Sequence, residues 1–103
     1  MNKPKETDFI EMAIEELKKD PKYLKDYKNY IIKEYKKDRD LKSLKANLGV
    51  ILKAERNISK LSKETKLSRA NIYRILSSEV DPSIGTMRAI LNFLGFDIEF
   101  VKI

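Results

Sequence analysis

Apolar residues recur along this chain at intervals of three and four, and the places where that rhythm lapses divide it into six helical segments and a short tail of different period. Phe9, Ile10, Ala13, Ile14 and Leu17 form the first stripe. Thr7 can cap it, with Asp8 and Glu11 near the end where the helix dipole favours negative charge. Asp20-Pro21 ends that helix and begins another: aspartate caps, and proline takes the first helical position, where no N–H is needed. Up to about Lys37, Tyr23, Leu24, Tyr27, Tyr30, Ile31 and Tyr35 share a wide face. A third segment, about Asp40 to Glu55, turns Leu41, Leu44, Leu48, Ile51 and Leu52 inward. Gly49 inside it costs about 1 kcal/mol relative to alanine, which predicts a close helix crossing there.

Two shorter segments follow. Leu61, Leu67, Ile72 and Ile75 are spaced so that two crossed helices can share one small core, with Ser62 where they approach most closely. Asn57 or Ser59 caps the first, and Ser68 the second. At ~100° per residue, the second helix puts Ile72, Ile75 and Leu76 on one arc and Arg69, Ala70, Tyr73 and Arg74 on the other, with Asn71 at the border. Residues 77–82 form a loop that could approach a sugar-phosphate backbone. Ser83 then caps a last helix carrying Ile84, Met87, Ile90, Leu91 and Leu94, and Gly95 stops it.

In the tail, Phe96, Ile98 and Phe100 alternate with Asp97 and Glu99 as in a half-buried strand. A lone strand leaves its edges unpaired, so it needs an N-terminal segment of its own chain, the same strand of a second subunit, or the sheet of another protein. The chain holds no second strand pattern, which favours pairing between chains and a homodimer first, with Phe96, Ile98 and Phe100 as the dimer strand. The expected fold is all-α, one domain over 1–103: a helical extension over 8–37, a core over 40–95 and the strand over 96–103.

The chain carries 22 basic and 16 acidic residues. Residues 1–40 are nearly balanced, whereas 41–78 hold nine basic residues (Lys42, Lys45, Lys53, Arg56, Lys60, Lys63, Lys66, Arg69, Arg74) against Glu55 and Glu64. A localised basic surface favours a polyanion, of which nucleic acid is the usual one; a solvated lysine-rich surface is the alternative. Arg69 follows Lys66 in the first turn of its helix, where positive charge is disfavoured by ~0.3–1 kcal/mol unless an anion binds there. The absence of cysteine and histidine removes disulfides, thiolate metal sites and the commonest acid/base group. No metal, cofactor, catalytic residue or small-molecule substrate is expected. Carboxylate pairs such as Glu15 with Glu16 or Asp97 with Glu99 lack any partner for catalysis. Neither a signal peptide nor a membrane span is present in the pattern, so a cytoplasmic protein is expected.

The run Leu61-Ser62-Lys63-Glu64-Thr65-Lys66-Leu67-Ser68-Arg69, then Ile72-Tyr73-Arg74-Ile75-Leu76-Ser77, resembles the helix-turn-helix of the XRE/Cro class, which has the lambda-repressor-like fold. Within that class it is most similar to the antitoxins of HigA-like addiction modules. The similarity continues through Asp81-Pro82, Thr86 and Leu94-Gly95 and back through Leu48-Gly49 and Lys53-Ala54, covering roughly Tyr23 to Ile98. Two departures stand out: Ser62 where the family usually has alanine, and Lys66 where it usually has the glycine of the turn. A left-handed lysine would be strained by roughly 1–2 kcal/mol. The family's fifth core helix is replaced here by the predicted strand.

The resemblance implies a sequence-specific DNA-binding antitoxin that represses its own operon and neutralises a RelE/HigB-type mRNA endonuclease toxin by direct binding. A dimer would set two recognition helices on a palindromic operator in double-stranded DNA. Arg69, Ala70, Asn71 and Arg74 are the candidate base readers, the arginines because a guanidinium bonds guanine O6 and N7 together. Lys60, Lys63, Lys66, Ser68 and Tyr73 are candidates for phosphate contact. Tyr23, Tyr27 and Tyr30 are candidates for toxin binding, since tyrosine is enriched at interface hot spots; equally, they are a core edge with wet hydroxyls. Two alternatives stay open: a stand-alone XRE regulator without a toxin, and a protein-interaction adaptor in which DNA binding is lost.

Overall fold

The computed structural model describes residues 6–55 and 57–103, with side chains described from Glu11 onward and again excluding Arg56. The expected cap Thr7, the dipole partner Asp8 and the stripe residues Phe9 and Ile10 therefore have side chains outside the described ones, as does Arg56. The described chain is all-helical, with six helices: α1 (Glu6–Lys19), α2 (Pro21–Asp38), α3 (Leu41–Glu55), α4 (Ile58–Thr65), α5 (Arg69–Leu76) and α6 (Ile84–Phe93). None of them is long and apolar enough to cross a membrane.

Local chemistry explains where each element begins and ends. Asp20 Oδ1 accepts from the backbone N–H groups of Lys22 and Tyr23, and Pro21 opens α2. Arg39 in the left-handed region (φ 57°) closes it, its guanidinium 5.9 Å from the Tyr35 ring centre. Asp40 then accepts from the Ser43 N–H and hydroxyl at the start of α3. Those bonds hold the Asp40 carboxyl below its ordinary pKa, the Ser43 hydroxyl contributing most. Ser83 caps α6 by accepting from Thr86 N–H. At the far end of α6, Gly95 (φ 94°) is left-handed, while Phe96 N–H reaches Leu91 O and Gly95 N–H reaches Asn92 O, a Schellman closure.

Helix α3 is the hub, packing against α1, α2 and α5. Its Leu44, Leu48, Ile51 and Leu52 join Ile31, Leu61, Ile72, Ile75, Leu76, Met87, Ile90, Leu91 and Leu94 in the main core. A smaller cluster of Ile14, Leu17 and Ala54 seats α1 on the other side of α3. The N-terminal helices are also tied to α3 by polar contacts: Tyr27 Oη bonds Asn47 Oδ1 at 3.0 Å, and Lys28 pairs with Glu55.

Two expectations are corrected. Leu41 and Ile84, expected to face inward, are exposed, because each opens its helix one turn beyond the core. Lys45, expected on the basic surface, is only 3% exposed; its stem lies along the core and its Nζ ends 4.0 Å from Asp81 Oδ1. Residues 96–103, expected to form a strand by pairing between chains, are irregular in the single chain. Phe96 and Ile98, two of the three residues expected in a dimer strand, pack half-buried against the chain's own core, and the third, Phe100, is 87% exposed, with Val101 and Ile103 also open.

Candidate nucleic-acid interface

Helices α4 and α5 meet at a turn of Lys66, Leu67 and Ser68. Lys66 is left-handed (φ 60°), the conformation that usually calls for glycine. Side chains around it hold the turn. Ser62 Oγ donates to Leu67 O, Thr65 Oγ1 donates to Leu61 O (2.7 Å), and Leu67 N–H approaches Thr65 Oγ1 at 3.4 Å. The serine that departs from the usual alanine thus bonds the segment strained by the missing glycine. Beneath the turn, Leu61 and Ile72 are fully buried and Leu67 is half-buried.

Ser68 caps α5, accepting from Asn71 N–H at 3.1 Å. As an acceptor it keeps its own O–H free to donate outward. Arg69, Ala70, Asn71, Tyr73 and Arg74 are all exposed, while Ile72, Ile75 and Leu76 are buried, so the helix presents one continuous polar face. Lys60, Lys63 and Lys66 are exposed on α4 and the turn. These nine candidate residues therefore lie on two adjoining helices and the turn between them. Arg69 Nη2 donates to Ser59 Oγ on α4, and Arg74 Nε lies 3.9 Å from Glu79 Oε2, both of that pair well exposed.

Lys53 of α3 was not among the sequence candidates. It is exposed, and its Nζ sits 6.0 Å from the centre of the Tyr73 ring, adding a third element's cation beside α5. Its position in the basic stretch was visible; its approach to Tyr73 required the α3–α5 crossing. Ser59 was considered only as a cap for α4. Instead Asn57 takes that place without a side-chain bond, and the Ser59 hydroxyl is occupied by Arg69.

Past α5, Ser78 (φ 65°) takes the left-handed place of a second Schellman closure, with Glu79 N–H on Arg74 O and Ser78 N–H on Ile75 O. The loop running on to Pro82 leaves Val80 and Asp81 exposed. Of the tyrosines, Tyr23 and Tyr30 are 47% and 56% exposed on α2, whereas Tyr27 is half-buried. Burial is the main cause of the raised Tyr27 pKa.

A family model described as probable addiction module antidote protein matches residues 9–102, nearly the whole chain. No curated protein and no solved structure gives a significant match.

Proposed function

Because the chain belongs to the probable addiction module antidote protein family, it is an antitoxin with a cognate toxin as partner, and we propose that it also binds DNA through α4 and α5 and represses its own operon. In this reading the two helices are a helix-turn-helix of XRE type and the protein has no catalytic activity. The observation that carries it is the outward face of α5: exposed Arg69, Ala70, Asn71, Tyr73 and Arg74, flanked by exposed Lys60, Lys63 and Lys66 at the capped helix end. Lysines and the Ser68 hydroxyl suit phosphates, and guanidinium edges suit guanine. A lysine in the turn would suit the adaptor alternative, but Ser62 and Thr65 hold that turn without glycine.

A homodimer would present two α5 helices to half-sites roughly one turn (~34 Å) apart in a palindromic operator. For the toxin, the reading is a RelE/HigB-type mRNA endonuclease held by direct binding, with Tyr23 and Tyr30 as the exposed contacts and Tyr27 fixing α2 to α3. Removal of the Tyr23 and Tyr30 rings from folded protein should then weaken toxin capture in co-purification; undiminished capture would place the toxin elsewhere. The DNA half is tested by fluorescence-anisotropy titration of the protein against the DNA upstream of its gene and a scrambled duplex, each at two salt concentrations. A preference of at least ~1000-fold for the upstream DNA is expected. Equal, weak, salt-sensitive binding to both would count against sequence-specific repression by the free antitoxin.

A further inference from the structure

Ser59 lies in the first turn of α4, and its hydroxyl accepts a hydrogen bond from Arg69 Nη2 at the first position of α5. We infer that Ser59 is a positioning residue for base recognition, holding the Arg69 guanidinium so that its remaining donors face the operator. This rests on the reading of α5 as the DNA-reading helix.

The chemistry of the pair supports that role over a passive surface contact. A guanidinium has five N–H donors in one plane, and Ser59 takes one at Nη2. The second Nη2 hydrogen and its neighbours remain, enough for a two-bond contact with guanine O6 and N7. An arginine free in solution must freeze several torsions when it meets a base, and a tether in the unbound protein settles much of that beforehand.

The partner's lack of charge matters as much. Arg88 is held by the Asp97 carboxylate, and Arg74 has Glu79 at 3.9 Å. Among the described residues Arg69 forms no ion pair; a hydroxyl fixes it and leaves its charge unspent.

The test uses the full chain and the duplex from upstream of its gene, with each base pair varied in turn, beside a scrambled duplex at two salt concentrations. Ser59→Ala should lose about 3–10-fold in affinity for the upstream duplex. The loss should fall on the base pair at which Arg69→Ala relaxes preference, with scrambled binding and salt slope unchanged. Ser59→Thr, which keeps the hydroxyl, should restore the preference. In an Arg69→Ala background, Ser59→Ala should change nothing further.

An equal loss on both duplexes, or a loss that persists without Arg69, would overturn the positioning role in favour of a merely structural one. So would full retention of the wild-type preference by Ser59→Ala. Wild-type protein with no preference for the upstream duplex would overturn the DNA-reading of α5, and the role of Ser59 with it.

Discussion

A Cβ placed on Gly49 would meet only Leu76, at 3.9 Å from its Cδ1 and 4.0 Å from its own Cβ, which is ordinary van der Waals contact. The α3–α5 crossing at this glycine is close enough for contact but leaves room for a methyl, because sequence spacing reports which faces meet and not how nearly. Gly49→Ala should accordingly stabilise the fold by about 1 kcal/mol, raising Tm by roughly 4–8 °C in a thermal melt. A lowered Tm would mean that α3 and α5 need the space. Lys66 poses the opposite problem, a left-handed residue (φ 60°) with a side chain. Lys66→Gly should gain about 0.5–1 kcal/mol, the relief of strain less glycine's extra freedom in the unfolded chain. Ser62→Ala should lose about 1 kcal/mol with its bond to Leu67 O, a loss to be read from the shift in the urea midpoint. The strain at Lys66 could be read from one position of the sequence. The compensation could not, since it depends on where Leu67 O points once the turn has formed.

Helix boundaries were legible because caps are local. Asp20, Ser68 and Ser83 each bond an N–H two or three residues ahead, with no help from the rest of the fold. Burial of Lys45 was not, because a lysine at that spacing reads as the polar side of α3 until the folded chain covers its stem and brings Asp81 to its Nζ. The roles proposed for α4 and α5 separate in one comparison. Arg69→Ala should cost ~1–3 kcal/mol and relax preference at one base pair, whereas Lys60→Ala should weaken all sequences alike. Equal losses for Arg69→Ala on operator and random duplex would remove it from base reading.

The tail shows a different element-scale effect. Arg88 Nε and Nη2 bond the two Asp97 oxygens at 2.9 and 3.3 Å, pinning residue 97 to α6. The Arg88 bond, helped by Ile98 N–H, holds the Asp97 carboxyl below its ordinary pKa. A carboxyl depressed in the folded state contributes stability that is complete above the unfolded value and is lost as pH falls through the folded one. The tail should therefore stay docked at neutral pH and release in acid. Protection of the amides around Phe96 and Ile98, each exchange rate taken against the intrinsic rate at the same pH, should fall as the solution is acidified, and Asp97→Asn should abolish that pH-dependent loss.

For the whole molecule, the separation of charge from apolar surface organises the proposed partners. Five of the nine basic residues of 41–78 lie on α4, α5 and their turn, while α1 and α2, both packed on the hub α3, leave Met12, Tyr23 and Tyr30 exposed. Of the alternating Phe96, Ile98 and Phe100, the first two are half-buried against the chain's own core while Asp97, Glu99 and Phe100 are exposed. For the proposed homodimer, the exposed Phe100, Val101 and Ile103 are the tail residues open to contact. These side chains, beside a backbone with no ladder partner in the single chain, form a short edge that an identical copy can pair across a two-fold axis. Deleting residues 99–103 should thus leave Phe96 and Ile98 in place and the helical circular-dichroism signal intact, while the sedimentation mass falls from dimer to monomer. Loss of the dimer should also weaken operator binding more than scrambled-duplex binding, since only the paired form engages both half-sites at once. An unchanged mass would put the interface away from the tail, and the next surface to truncate would be the α1–α2 side bearing Met12, Tyr23 and Tyr30.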